Sequence, residues 1–250
     1  MTVRQRLAAN YESVCQRVRQ ACHRSGRSPD AVLIVAVTKY ADWQFVREVI
    51  PLGVVDLGES RPQQLVERAA LLTEPGAVEK IRWHLIGHLQ RNKVRRVLPL
   101  VSLIHSVDSW RLLEALEREA AEQDLRPQVL LEINVTGEAS KQGLTPEAAL
   151  EGWPRALAGG CRVGVRGLMT MAQENADPEV ARPTFKALRG LRDRLRSMAS
   201  EFDPASTAAG WYLDELSMGM TADFEVAIEE GATLVRIGSA LFEGVGERGT

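Results

Sequence analysis

Two hydrophobic rhythms alternate along the chain. One is a short, dense run of aliphatic residues. The other is a longer stretch with apolar positions every three or four residues. The clearest run is Leu33-Ile34-Val35-Ala36-Val37, which leads without a charge into Thr38 and Lys39. Such a run, rich in Val and Ile, reads as a strand buried on both faces. Ahead of it, Thr2 is placed to cap a helix with Val3, Leu7, Val14 and Val18 as its stripe, ending near Gly26.

Beyond Lys39 the same reading predicts a helix from Asp42 to Ile50, a strand over 54–57 and a helix from Pro62 to Leu72. A strand over 81–86, a helix from about Gln90 to Leu98 and a strand over 103–106 follow. Ser109 opens a helix to about Gln123, and Val129 to Val135 is the fifth strand. A helix from Thr145-Pro146 to Ala158, a strand from Val163 to Met169 and a long arginine-rich helix from Pro178 to about Ser200 come next. The last units are a strand from Trp211 to Leu216, a helix from Thr221 to Glu230 and a strand from Leu234 to Ile237.

Strand and helix alternate eight times behind one extra N-terminal helix. Alternation of this kind builds a parallel sheet. Eight units suit a closed α/β barrel of the (β/α)8 TIM type better than a doubly wound sheet. No low-complexity stretch or long linker divides the 250 residues, so one domain over 1–250 is expected, with no second domain after the eighth strand.

Composition narrows the function classes. Net charge is -2, which gives no global field toward nucleic acid. No apolar stretch approaches the ~20 residues that span a bilayer, and the arginine-bearing N-terminus lacks the apolar core of a secretory signal. Cys15, Cys22 and Cys161 are an odd set, read as free thiols of a reducing cytoplasm. His23, His84, His88 and His105 are scattered, and Gly87 between His84 and His88 argues against a helical zinc pair.

Chemistry in such barrels lies in the loops after the strands. The expected strand ends carry Lys39; Gly58, Glu59, Ser60 and Arg61; His84 and Gly87; Ser106 and Asp108; and Asn134 with Lys141 beyond it. Strand six ends in Met169, Thr170 and Met171, strand seven in Ser217-Met218-Gly219-Met220-Thr221, and strand eight in Arg236-Ile237-Gly238-Ser239. At a strand exit an ammonium is partly desolvated, and desolvation favours the neutral amine that attacks carbonyls. The plainer reading of Lys39 is a strand-end lysine that reaches to water.

The loops after strands seven and eight are the habitual phosphate site of this architecture. Ser217, Thr221 and Ser239 offer hydroxyls, Gly219 and Gly238 allow close backbone approach, and a helix start is expected after each loop. Read singly, Thr221 and Ser239 are ordinary helix caps. Arg236 lies inside a strand, where it needs a partner: a carboxylate such as Asp214 or Glu215, or a ligand over the barrel mouth. A carbonyl-reactive lysine, a phosphate site and an arginine between them suggest pyridoxal 5′-phosphate. Arginine only donates, so a ring nitrogen facing it accepts and stays unprotonated, which weakens the ring as an electron sink.

Val37-Thr38-Lys39, Gly58-Glu59-Ser60-Arg61, Trp83 to Lys93, His105-Ser106-Val107-Asp108, Gly167 to Met171, Leu216 to Glu225 and Ala232 to Phe242 resemble the pyridoxal phosphate homeostasis protein family. The resemblance runs from Val32 to Gly244. It implies a barrel of the alanine-racemase N-terminal type that holds pyridoxal 5′-phosphate as an aldimine on Lys39. It places phosphate against Ser217, Met218, Gly238 and Ser239, and Arg236 toward the ring nitrogen. Ser60, His84 and Met169 complete the candidate contacts. The family has no established turnover; it holds and hands over cofactor, with pyridoxal-phosphate-dependent apoenzymes as candidate recipients. Ser60 departs from the family's usual Asn, which puts one ring contact in doubt.

Two enzyme readings compete. A racemase on this scaffold needs a second acid/base opposite the lysine, supplied in relatives of the fold by a tyrosine of a C-terminal domain that is not expected here. Tyr40 adjoins Lys39, but strand alternation points it the other way. A Schiff-base aldolase would use the same lysine and phosphate logic, yet explains Arg236 less well. Arg91, Lys93, Arg95 and Arg96 read as a solvated basic face.

Overall fold

The computed structural model describes residues 1–72, 81–138, 141–159, 162–173, 175–202 and 212–245. Eight parallel strands run in sequence order around a closed ring, with β1 (Leu33–Val37) paired to both β2 (Asp56–Glu59) and β8 (Leu234–Ile237). Between them lie β3 (Arg82–Leu85), β4 (Leu103–Val107), β5 (Gln128–Glu132), β6 (Gly164–Met169) and β7 (Glu215–Met220). The helices outside are α1 (Val3–Arg24), α2 (Trp43–Val49), α3 (Pro62–Leu71), α4 (Val94–Val97), α5 (Trp110–Glu122), α6 (Pro146–Gly159), α7 (Arg182–Phe202) and α8 (Phe224–Glu229).

Hydrophobic burial falls in two shells. Val35, Leu103, Leu130, Met169 and Leu234 fill the inside of the ring. A larger shell, with Leu57, Trp83, Trp153, Phe185 and Phe224, lies between sheet and helices. Fully burying one such side chain contributes roughly 1.5–3 kcal/mol. Alternation along each strand sends one set of residues to each shell.

Several boundaries differ from the sequence expectation, each for a local reason. The helix expected over 90–98 is split: a 3-10 turn (Arg91–Lys93) leads into α4, and Pro99 sits in a second 3-10 turn (Leu98–Leu100). β7 starts later than expected and takes in Ser217, Met218 and Gly219, so these belong to the strand, not to the loop after it. Gly219 has φ +92, and a Cβ there would meet Ala227 Cβ at 2.5 Å, so glycine lets β7 pass over α8. Trp211 and Cys161 lie outside the described residues.

No helix follows β8 through Val245; the backbone turns back on Gly238, which accepts from Leu241 and Phe242. α1 takes the vacant place in the ring, packing beside α2 and α8. Its Asn10 donates to the carbonyls of Leu241 (3.1 Å) and Glu243 (2.9 Å), fastening the segment after β8. Thr2 caps α1 as expected, in a reciprocal capping box with Gln5.

Candidate functional site: the barrel mouth

Lys39 stands two residues past β1. Val35 faces the inner shell, and parity carries Val37 and then Lys39 toward the mouth. The turn that carries Lys39 is gripped from behind the wall. Arg68 of α3 donates to the carbonyls of Thr38 (2.9 Å) and Ala41 (2.7 Å) and pairs with the fully buried Glu59, which also accepts from Thr38 Oγ1. Glu59 therefore points outward from the barrel, not into the mouth. Burial pushes its carboxyl up, against the opposing pull of Thr38 and Arg68. The Lys39 ammonium is half-buried and lies 4.7 Å from the centre of the Tyr40 ring. This corrects the expectation that Tyr40 turns away: the chain has left the strand, so alternation no longer governs it.

Ser60 lies half-buried just past the end of β2. Gly87 presses on it so closely that a Cβ would sit 2.3 Å from the Ser60 carbonyl oxygen. Met169 is buried in the inner shell. Met218 places its side chain in the outer shell, so only its backbone faces a ligand. Gly238 is half-buried and Ser239 exposed beside the mouth, and Thr221 Oγ1 accepts from the Ala240 N–H at 3.5 Å.

Arg236 is buried on β8, beside Val35 of β1. It is not paired with the carboxylates considered from sequence: Asp214 pairs with Arg196, and Glu215 accepts from Thr233. Its Nη1 donates to Ser217 Oγ (2.6 Å) and its Nη2 to the Thr170 carbonyl (2.9 Å). Burial lowers the guanidinium to about 10, opposed by Asp223 and Glu132, so it stays a cation at neutral pH.

His84 is inside β3, not after it. It is 3% exposed, with Nδ1 2.9 Å from His105 Nε2 and Nε2 3.0 Å from Asp56 Oδ1. His105 Nδ1 reaches across the barrel to Ser217 Oγ at 2.8 Å. The structure thus joins His84 to Ser217 and Arg236 through His105, and sets it apart from Lys39.

Glu132 was read only as part of an apolar strand. It is 4% exposed, on the inner face at the end of β5, and its carboxylate has no hydrogen-bond partner among the described residues. Burial, then the Asp108 carboxylate, push it up to about 7, against Arg236 and His88. The signal in sequence was a single acid inside a run of leucines. Asn134 and Lys141 serve the next loop: Asn134 donates to the carbonyls of Glu138 and Lys141, and Lys141 pairs with Glu138 at 2.7 Å.

Residues 5–245 match the family described as "Alanine racemase, N-terminal domain". A "Pyridoxal phosphate homeostasis protein" of Aquifex aeolicus is 39% identical over 94% of this chain and 95% of its own. The chain belongs to the pyridoxal phosphate homeostasis protein family. The Escherichia coli K12 member is 32% identical, covering 94% of this chain and 95% of its own. Among solved structures, PipY of Synechococcus elongatus with pyridoxal phosphate bound superposes with a TM-score of 0.78 at 31% identity, over 94% of this chain and 99% of that one. The family agrees with the closed barrel: eight parallel strands in sequence order, with the conspicuous lysine at the exit of the first.

Proposed function

We propose that this protein binds pyridoxal 5′-phosphate at the barrel mouth and takes part in its homeostasis in the cytoplasm, holding the reactive aldehyde and passing the cofactor to apoenzymes that require it. The observation that carries this reading is the pairing of Lys39 with Arg236. An amine just past β1 and a buried guanidinium on the neighbouring β8 serve one opening.

The residues present fit the cofactor. Lys39 supplies the amine that attaches the aldehyde. Arg236, a permanent donor, suits the ring nitrogen. Ser239, Thr221 and the backbone at Met218 and Gly238 border the place for the phosphate. Ser60 and Met169 border the ring. Glu132, a buried carboxyl on the inner face at the end of β5, is a further polar group that a ligand donor can meet. When bound, the cofactor supplies an electrophilic carbon and a ring able to take up electrons. Arg236 limits the second by keeping a proton off the ring nitrogen, which favours holding over turnover. The bound cofactor in the Synechococcus relative supports the same reading.

The test is an absorbance spectrum of the purified protein with pyridoxal phosphate, before and after borohydride, beside Lys39→Ala. A band that borohydride fixes to the wild type and that the variant lacks is expected. A wild type that takes up no cofactor, or a variant that is fixed equally, overturns the assignment. Amino-acid racemisation by the loaded protein is expected at the level of free cofactor, and a clearly faster rate overturns the carrier role.

A further inference from the structure

Five buried side chains cross the inside of the barrel in one hydrogen-bonded series: Arg236, Ser217, His105, His84 and Asp56. They come from β8, β7, β4, β3 and β2. The series starts at the mouth. It ends at the opposite face, where Asp56 and His84 line a cavity of about 210 Å³ with Arg82, Gln128 and Arg166.

The donors can be arranged in one way only. A guanidinium never accepts, so Arg236 donates and Ser217 Oγ accepts. The Ser217 hydrogen then needs an acceptor, and the remaining partner is His105 Nδ1. That nitrogen is bare. His105 is neutral, held well below the usual histidine range by burial first and by the Arg236 cation. Its proton is therefore on Nε2 and points to His84 Nδ1. His84 in turn carries its proton on Nε2 and donates to Asp56. Asp56 is an anion: burial alone would raise it, but the hydrogen bonds from His84 and Arg82 outweigh that and hold it low. The reverse direction leaves the Ser217 hydrogen without an acceptor among the described residues.

We propose that Asp56, His84 and His105 are positioning residues for the mouth: through this directed series they fix where the Ser217 hydroxyl and the Arg236 guanidinium point. Ser217 is then a link in the series, with its hydrogen turned inward to His105, and is not a phosphate donor. The phosphate is left to Ser239, Thr221 and backbone N–H groups. The consequence for the ligand rests on the cofactor reading above; the direction of the series does not.

The experiment is nitrogen NMR of the histidine rings and arginine side chains in the full chain without cofactor, followed by titration with pyridoxal phosphate. In the wild type, both buried histidines should carry a proton on Nε2; a proton on Nδ1 of either overturns the proposal. In Asp56→Asn the anionic end is gone while the amide oxygen still accepts from His84, so both rings should keep the proton on Nε2 and the ring and Arg236 signals should shift. Ser217→Ala cuts the series at the top: His84, still facing Asp56, keeps its proton on Nε2, His105 still donates to it, and the Arg236 signals should shift because its hydroxyl partner is gone. Cofactor uptake should weaken about five- to tenfold in each folded variant, the scale of one lost buried hydrogen bond. Unchanged Arg236 signals in both variants, or unchanged uptake despite altered signals, overturn the positioning role. A wild type with the expected tautomers that takes up no cofactor overturns the cofactor reading and leaves the series standing.

Discussion

Two buried charged clusters lie on opposite sides of the same barrel wall. Behind it, Arg68 meets Glu59 and Thr38 and spends its other donors on the carbonyls of Thr38 and Ala41. Inside it, Arg236 meets Ser217, and the links run on from side chain to side chain to Asp56. The outer cluster grips main chain, so it fixes a place: the turn bearing Lys39. Among the described residues, the inner one grips main chain only at Thr170, at its upper end. It carries an orientation instead. A buried arginine can thus serve as an anchor or as the end of a line, and its partners, not its burial, tell which.

The comparison is broken most strongly at the anchor. Arg68→Ala leaves Glu59 buried without its cation, and loss of one partner of a buried pair costs about 3–5 kcal/mol. Urea unfolding measures that loss. Attachment of cofactor at Lys39 should fall with it, because the turn is no longer held. An intact Lys39 site in a folded Arg68→Ala protein would show that the grip is not needed.

The inner face responds next, through Glu132. Its folded value, about 7, lies above that of the free acid. The folded protein therefore holds a proton that the unfolded chain gives up, and stability falls as pH rises from about 4.3 through 7. Glu132→Gln should remove that fall and leave the unliganded protein ~1–3 kcal/mol more stable than wild type at pH 8, with little difference at pH 4. Denaturant midpoints at the two pH values decide it, and parallel pH profiles would remove Glu132 from the account. The smallest effect belongs outside both clusters. Arg95 pairs with Glu122 at 2.9 Å while 65% exposed, and Arg95→Ala should change stability by under ~0.5 kcal/mol.

How much of this could be read from the chain depended on which rule each residue obeyed. The barrel was legible because each strand carries apolar residues on the face toward the helices, and Lys39 because it ends the plainest of them. β7 was misplaced because its inner face is polar: Leu216-Ser217-Met218-Gly219-Met220 does not look like a buried strand until Ser217 is seen to serve His105. Arg236 stood out as a charge inside an apolar run. The same signal marked His84, His105 and Glu132, but partners 21 to 112 residues apart leave no spacing to recognise. His84 was therefore assigned to the mouth, although its contacts lie deeper in the barrel. The helix expected after β8 failed because α1, from the other end of the chain, fills that place.

The pairing of β1 with β8 has a consequence for the proposed uptake and release of a cofactor. An open sheet exposes a row of unpaired amides at each rim, ready to recruit another chain. A ring has no rim: every strand here has two neighbours whether or not a ligand lies across the top. Release of the cargo removes contacts at the mouth and uncovers no sticky backbone. Loading and unloading are thereby confined to the mouth, and the strand ladder that carries it stays paired throughout.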